Sequence, residues 1–264
     1  MKLLNILTIV LFSFFIFVNS NCHKEKPIPP AENGKIIFKF AHYVNGQPLQ
    51  KDTMKYVNAA GNPYKINELK YFVSEVTLYK NDGTKKIIKD WVEIFYIDID
   101  VSSTLTWNVY DDIPAGNYDS INFVFGITQE KNKSFLFINP PESNMAWPDM
   151  LGGGYHYMML NGKWKDTNNV IQNFRCHLGI GKDTTGGNTT FIQNYFTVNL
   201  PNSSFSISKN QTREIQIVMN IEKWFEGAYT FDWNHYGGDI MENQEAMNKI
   251  AKNGKHAFSL EYIH

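Results

Sequence analysis

Period-two alternation is the feature that most restricts what this chain can become. Ile36, Phe38 and Phe40 alternate with Lys39 and Ala41, and the apolar side of that run ends on His42. Such spacing predicts a half-buried strand, not a helix. The stretch NGQPL then breaks the run. Residues 69–99 predict two strands around the Asp82-Gly83 turn, with further extended chain after Asp90. Residues 111–127 repeat the plan, a Pro-Ala-Gly turn preceding alternating Ile121, Phe123 and Phe125. Strands at these spacings, with turns between them, predict an all-β, sandwich-like fold.

One domain over residues 36–264 accommodates the whole pattern, and no internal repeat interrupts it. Residues 128–153 do not alternate; their prolines and glycines predict a long surface excursion, and the density of Phe135, Phe137, Met145, Trp147 and Leu151 argues for an ordered one. Met241–Lys252 has helical spacing with Gly254 just beyond it, which predicts a short C-terminal helix. The net charge is -1 with no cluster of Lys or Arg. Nothing there supplies the counterion release that nucleic-acid binding requires, so DNA and RNA are excluded as expected partners.

The N-terminus carries an address. Met1-Lys2 leads into an apolar run from Leu3 to Val18, then small polar residues and Cys22. The run is too short for a span of roughly 20 apolar residues and reads as an export signal over residues 1–21. NSNC resembles a bacterial lipobox, with Asn21 where a smaller residue is commoner, and makes Cys22 the expected acylated residue; the alternative is an ordinary signal-peptide end. Residues 22–35 hold three prolines and alternating charge and read as a tether from membrane to domain. The expected location is the bacterial cell envelope. Cys176 is the only other cysteine, so acylation of Cys22 leaves no intrachain disulfide.

Three histidines sit at predicted strand ends. His42 closes the first strand; His156 follows Gly152-Gly153-Gly154, sharing an extended-strand face with Met158; His177 precedes Gly179, with Cys176 turned away from it. Neutral imidazoles on a rigid β framework suit copper or zinc if they converge. Isolated histidines also serve as hydrogen-bonded core residues. Asp232, His235 and Asp239 form a second polar cluster that a glycine-rich turn explains equally well. No nucleophile elbow, phosphate loop, H-E-x-x-H or dinucleotide fingerprint is present, so no enzyme activity is expected.

The block MAWPDMLGGGYHYMMLNGKW, with NELKYFVSEVTLY, INFVFGI, FRCHLGIG, IVMNIEKWFEGAYTFD and NGKHAFSL, resembles the MbnP-like family over residues 36–262, in particular its bacterial lipoprotein branch. The resemblance implies a β-rich exported domain that binds copper. It implies further that some members carry a tryptophan oxidised to kynurenine at the metal and depend on a di-haem partner of the MauG type. His177 matches the family's H-L-G motif, and His42 and His156 match histidines of the lipoprotein branch; these three are the expected ligands. Trp147 is the residue placed for oxidation, or a plain aromatic plug, and Met158 is expected to line the site. The expected function is copper capture or delivery by a lipid-anchored protein. The rival is a metal-free module that binds glycans or partners through exposed Trp147, Trp164, Trp224 and Trp233.

Overall fold

A computed structural model describes residues 32–264. The expected signal peptide, Cys22 and the tether as far as residue 31 lie outside the described residues. Strand β1 (Asn33–Val44) begins inside the stretch expected to be tether. Pairing starts there because Lys35 stands opposite Thr212 and donates its backbone N–H to Gln211 O at 2.8 Å.

The other strands of five residues or more are β2 (Pro63–Lys80), β3 (Ile94–Asp98), β4 (Gly116–Phe125), β5 (Met158–Lys165), β6 (Ile171–Leu178), β7 (Phe196–Leu200), β8 (Thr212–Asn220) and β9 (Phe258–Ile263). One sheet is ordered β9-β8-β1, with β8 and β1 parallel. The second is ordered β6-β5-β2-β4-β7, and β3 also pairs with β2. β2 serves so many partners because it bulges between Ser74 and Thr77, where Glu75 takes φ 53°, and so turns from one neighbour to the next. This is the all-β, sandwich-like fold that the alternation predicts.

Between the sheets, β1 buries Ile36, Phe38, Phe40 and His42 on one face. The facing layer includes Tyr71, whose ring lies 5.9 Å from Phe125, and Phe125 lies 4.8 Å from Trp224. Each buried Ile or Phe among them contributes roughly 1.5–3 kcal/mol by leaving water. The excursion over residues 128–153 is ordered and folds back on the opposite, outer face of the second sheet, where Phe137 stacks on the buried Phe72 of β2 at 5.6 Å.

After a single helical turn, α1 (Trp233–Tyr236), the C-terminal helix α2 runs Gln244–Gly254. It starts later than the spacing predicts because the Asn243 side chain caps it, accepting from Ala246 N at 3.0 Å. Gly254 is the last helical residue rather than the one beyond, and a Cβ there would come within 2.1 Å of Trp224. Among the described residues no helix is long and apolar enough to cross a membrane.

Candidate metal centre

The three consecutive glycines make a turn that only glycine adopts easily. Gly152, Gly153 and Gly154 all have positive φ, and a Cβ on Gly154 would sit 2.5 Å from Asn132 Oδ1. The turn carries the Trp-Pro segment back beside the Tyr-His segment: Trp147 N donates to Gly154 O at 2.8 Å, and Ala146 bridges Tyr155. Trp147 is thereby buried against Gly179, where an added Cβ would meet its ring at 2.6 Å. The glycine of the H-L-G segment is the space that the indole fills.

His156 is held twice by one carbonyl. Its backbone N donates to Met145 O at 2.7 Å, and its Nδ1 lies 2.9 Å from the same oxygen. A carbonyl only accepts, so Nδ1 carries the proton and Nε2 keeps its lone pair. That Nε2 is buried and has no partner.

His177, near the end of β6, shows the mirror arrangement. Its Nε2 lies 2.8 Å from Asn161 Oδ1, while the Asn161 amide Nδ2 donates to Glu68 Oε2 at 2.6 Å. The proton is therefore on Nε2, and Nδ1 is the lone-pair nitrogen, again buried without a partner. The two rings meet edge to face with centroids 5.0 Å apart, and Trp147 approaches His156 with centroids at 4.6 Å.

Burial keeps these rings neutral. It pulls His177 down to about 4, with the neighbouring His156 adding to the effect. Burial also lowers His156, partly opposed by the Met145 carbonyl. Neutral imidazoles with free lone pairs are what a metal requires.

His42 stands apart from this pair. In the second sheet, Met159 is registered with both Lys70 and His177, whereas Met158 is registered with Tyr71 and Leu178. Neighbouring residues point to opposite faces, so His177 occupies the outer face and Tyr71 the inter-sheet core. His42 belongs to that core: its Nε2 lies 3.1 Å from Tyr71 Oη, and burial lowers it to about 4. Met158, expected to line the site, points into the same core, and Met159 is the methionine across from His177. The expected strand face shared by His156 and Met158 does not form, because β5 begins only at Met158. Among the described residues no group of three or more His, Cys, Asp or Glu side chains is arranged to hold an ion.

The remaining expectations sort themselves locally. Asp232 caps α1, and Asp239 pairs with Arg175 at 2.9 Å. Cys176 is buried on the core side, as alternation requires. The tryptophan platforms of the rival reading are overturned: Trp147, Trp164, Trp224 and Trp233 are at most 5% exposed, whereas Trp91 is 55% exposed. Trp164 and Trp233 are buried in a cluster with Phe174 and Phe225, Trp224 packs on Phe125, and Trp147 lies against Gly179. Sequence reasoning passed over Asn161, Glu68 and the Met145 carbonyl, the groups that decide which nitrogen of each histidine stays free. Their roles follow from strand register and loop path, for which the chain carries no local signal.

These features define a class: an all-β domain with two histidines and a tryptophan gathered under a glycine-hinged loop on the outer face of one sheet. The MbnP family model matches residues 33–246, and the chain belongs to that family. Among solved structures it is similar to MbnP from Methylosinus trichosporium, with a TM-score of 0.51 and 16% identity over 74% of this chain and 78% of that one. At that identity the likeness is one of fold. No curated protein matches the chain.

Proposed function

We propose that this protein binds copper through His156 Nε2 and His177 Nδ1. One observation carries the reading: two buried imidazole nitrogens, each with a lone pair and no partner, on rings 5.0 Å apart. A buried polar atom left unpaired costs about 1–3 kcal/mol, so a purely structural pair would be expected to bond both nitrogens or reach water. A closed structural zinc site takes four protein ligands. Two nitrogens beside an indole suit an ion content with few ligands, which favours copper, reduced copper above all.

Copper titration of three variants tests this. His156→Ala and His177→Ala should each lose most of the affinity, and His42→Ala should keep it. Unchanged affinity in His156→Ala would remove that residue from the site.

The same reading extends to the cell. The export signal and Cys22 support a lipid-anchored envelope protein whose task is capture or delivery without turnover. Trp147, packed on His156, is the residue whose oxidation the family resemblance implies. Mass spectrometry of protein from its native envelope reads both modifications at once, and an unmodified Cys22 would remove the anchor.

The di-haem partner implied by the resemblance would seat on the exposed apolar groove of about 670 Å³ lined by Phe72, Trp91, Phe95, Tyr96, Phe137 and Ile138. Phe137 in its wall lies 5.0 Å from Tyr155, the neighbour of His156. Large exposed apolar surfaces of this kind mark interaction sites. This groove, and none of the buried tryptophans, is also what favours the second reading, a partner-binding module.

A further inference from the structure

We propose that Asn161 and Glu68 are positioning residues that hold the His177 proton on Nε2 and so make Nδ1 the atom that meets the metal. The proposal deepens the two-histidine reading and rests on it for its metal-binding consequence.

The two histidines are set by different means. His156 is fixed by a backbone carbonyl, which no substitution removes. His177 depends on a side-chain amide, and an amide beside an imidazole can present either end. With its oxygen forward it selects the Nε2–H ring; with its NH2 forward it selects the opposite tautomer and would leave Nδ1 protonated.

Glu68 makes the choice. Its carboxylate only accepts, so it takes Asn161 Nδ2 at 2.6 Å and turns Oδ1 toward His177. Burial raises the Glu68 carboxyl, but bonds from Lys70 and Asn161 outweigh it and lower its pKa. Lys70 in turn pairs with Glu68 and lies 3.9 Å from Asp98, which accepts from Tyr96 Oη at 2.9 Å. The amide is therefore clamped from the side away from the metal pair.

The strands place this clamp. Asn161 is registered with Glu68 on β2 and Arg175 on β6, one pleat from the Met159–His177 pair, so it reaches His177 along the diagonal. The β5–β2 register shifts between Asn161 and Gly162, and a Cβ at Gly162 would come within 2.1 Å of Lys65 O. A bulge of this kind re-aims the side chain beside it. Outer-shell groups that orient a ligating histidine typically alter metal affinity 10–100-fold when removed.

Long-range ¹⁵N spectra of the metal-free full chain read the tautomers directly. The wild type should show His177 protonated at Nε2 and His156 at Nδ1. Asn161→Leu should give a tautomer mixture at His177 and weaken cuprous-ion binding, measured against a chromophoric chelator, by about 10-fold or more. Asn161→Asp keeps an acceptor and should restore the Nε2–H tautomer. Glu68→Gln should give a partial mixture, and it carries the test if Asn161→Leu does not fold. Wild-type His177 protonated at Nδ1, or Asn161→Leu with tautomer and affinity both unchanged, would overturn the proposal. Wild-type protein with these tautomers but no copper uptake would overturn the copper reading and leave the positioning role standing.

Discussion

A histidine that only fills space in a core bonds through both ring nitrogens or turns one toward water. His156 and His177 each give one nitrogen to an oxygen and keep the other dry, the feature on which the proposed copper site rests. Burial also sets their response to acid. An unfolded imidazole titrates near 6.5, whereas His42 and His177 are held at about 4. Between those values the unfolded chain binds more protons than the folded one, so stability is complete above the window and falls as pH drops through it. Each of the two contributes roughly 3 kcal/mol of loss at the lower end. Urea unfolding of the metal-free protein should therefore show equal midpoints at pH 8 and 7 and progressively lower ones at pH 5.5 and 4.5. A flat profile would contradict the burial of these rings. If copper binds as proposed, proton competition at His177 should set in near 4, below the value near 6.5 of an unperturbed ring. Both histidines of the pair were legible in the sequence through their glycine-marked segments. Their tautomers were not, because Met145, Asn161 and Glu68 become neighbours only after folding.

Parity within single strands decides which residues can meet. Three strand ends look equivalent in the sequence, yet β1 directs His42 into the inter-sheet core while β6 directs His177 outward, and one sheet lies between them. Alternation alone correctly turned Cys176 away from His177. It misplaced His156 and Met158 on a common face because β5 starts after the glycine turn, and no residue pattern marks that start. The excursion over residues 128–153 was legible as ordered from its aromatic content, and its Phe137 and Ile138 line the apolar groove. Trp91 and Val92 on the opposite wall hold positive φ, costly for a β-branched residue such as Val92. If a partner docks there, Ile138→Asp, at a position 80% exposed, should weaken its binding about 10-fold or more without moving the copper titration. Equal partner affinity would place the contact elsewhere.

At the scale of the molecule, the strand content follows from local alternation, whereas the parallel pairing of β1 with β8 joins segments far apart in sequence, which no local pattern specifies. The same holds for the buried tryptophans: composition does not say which are buried, and only the fold shows Trp164 and Trp233 sharing one aromatic cluster. What the whole fold accomplishes is to bring the end of β6 and the glycine turn together, so that the rings of His177 and His156 meet at 5.0 Å with Trp147 against His156. The most direct test is an anomalous-difference map, recorded at the copper edge, from crystals of the copper-loaded protein. One peak is expected, within bonding distance of both His156 Nε2 and His177 Nδ1. A peak at His42 and Tyr71, or one touching only a single histidine of the pair, would contradict it.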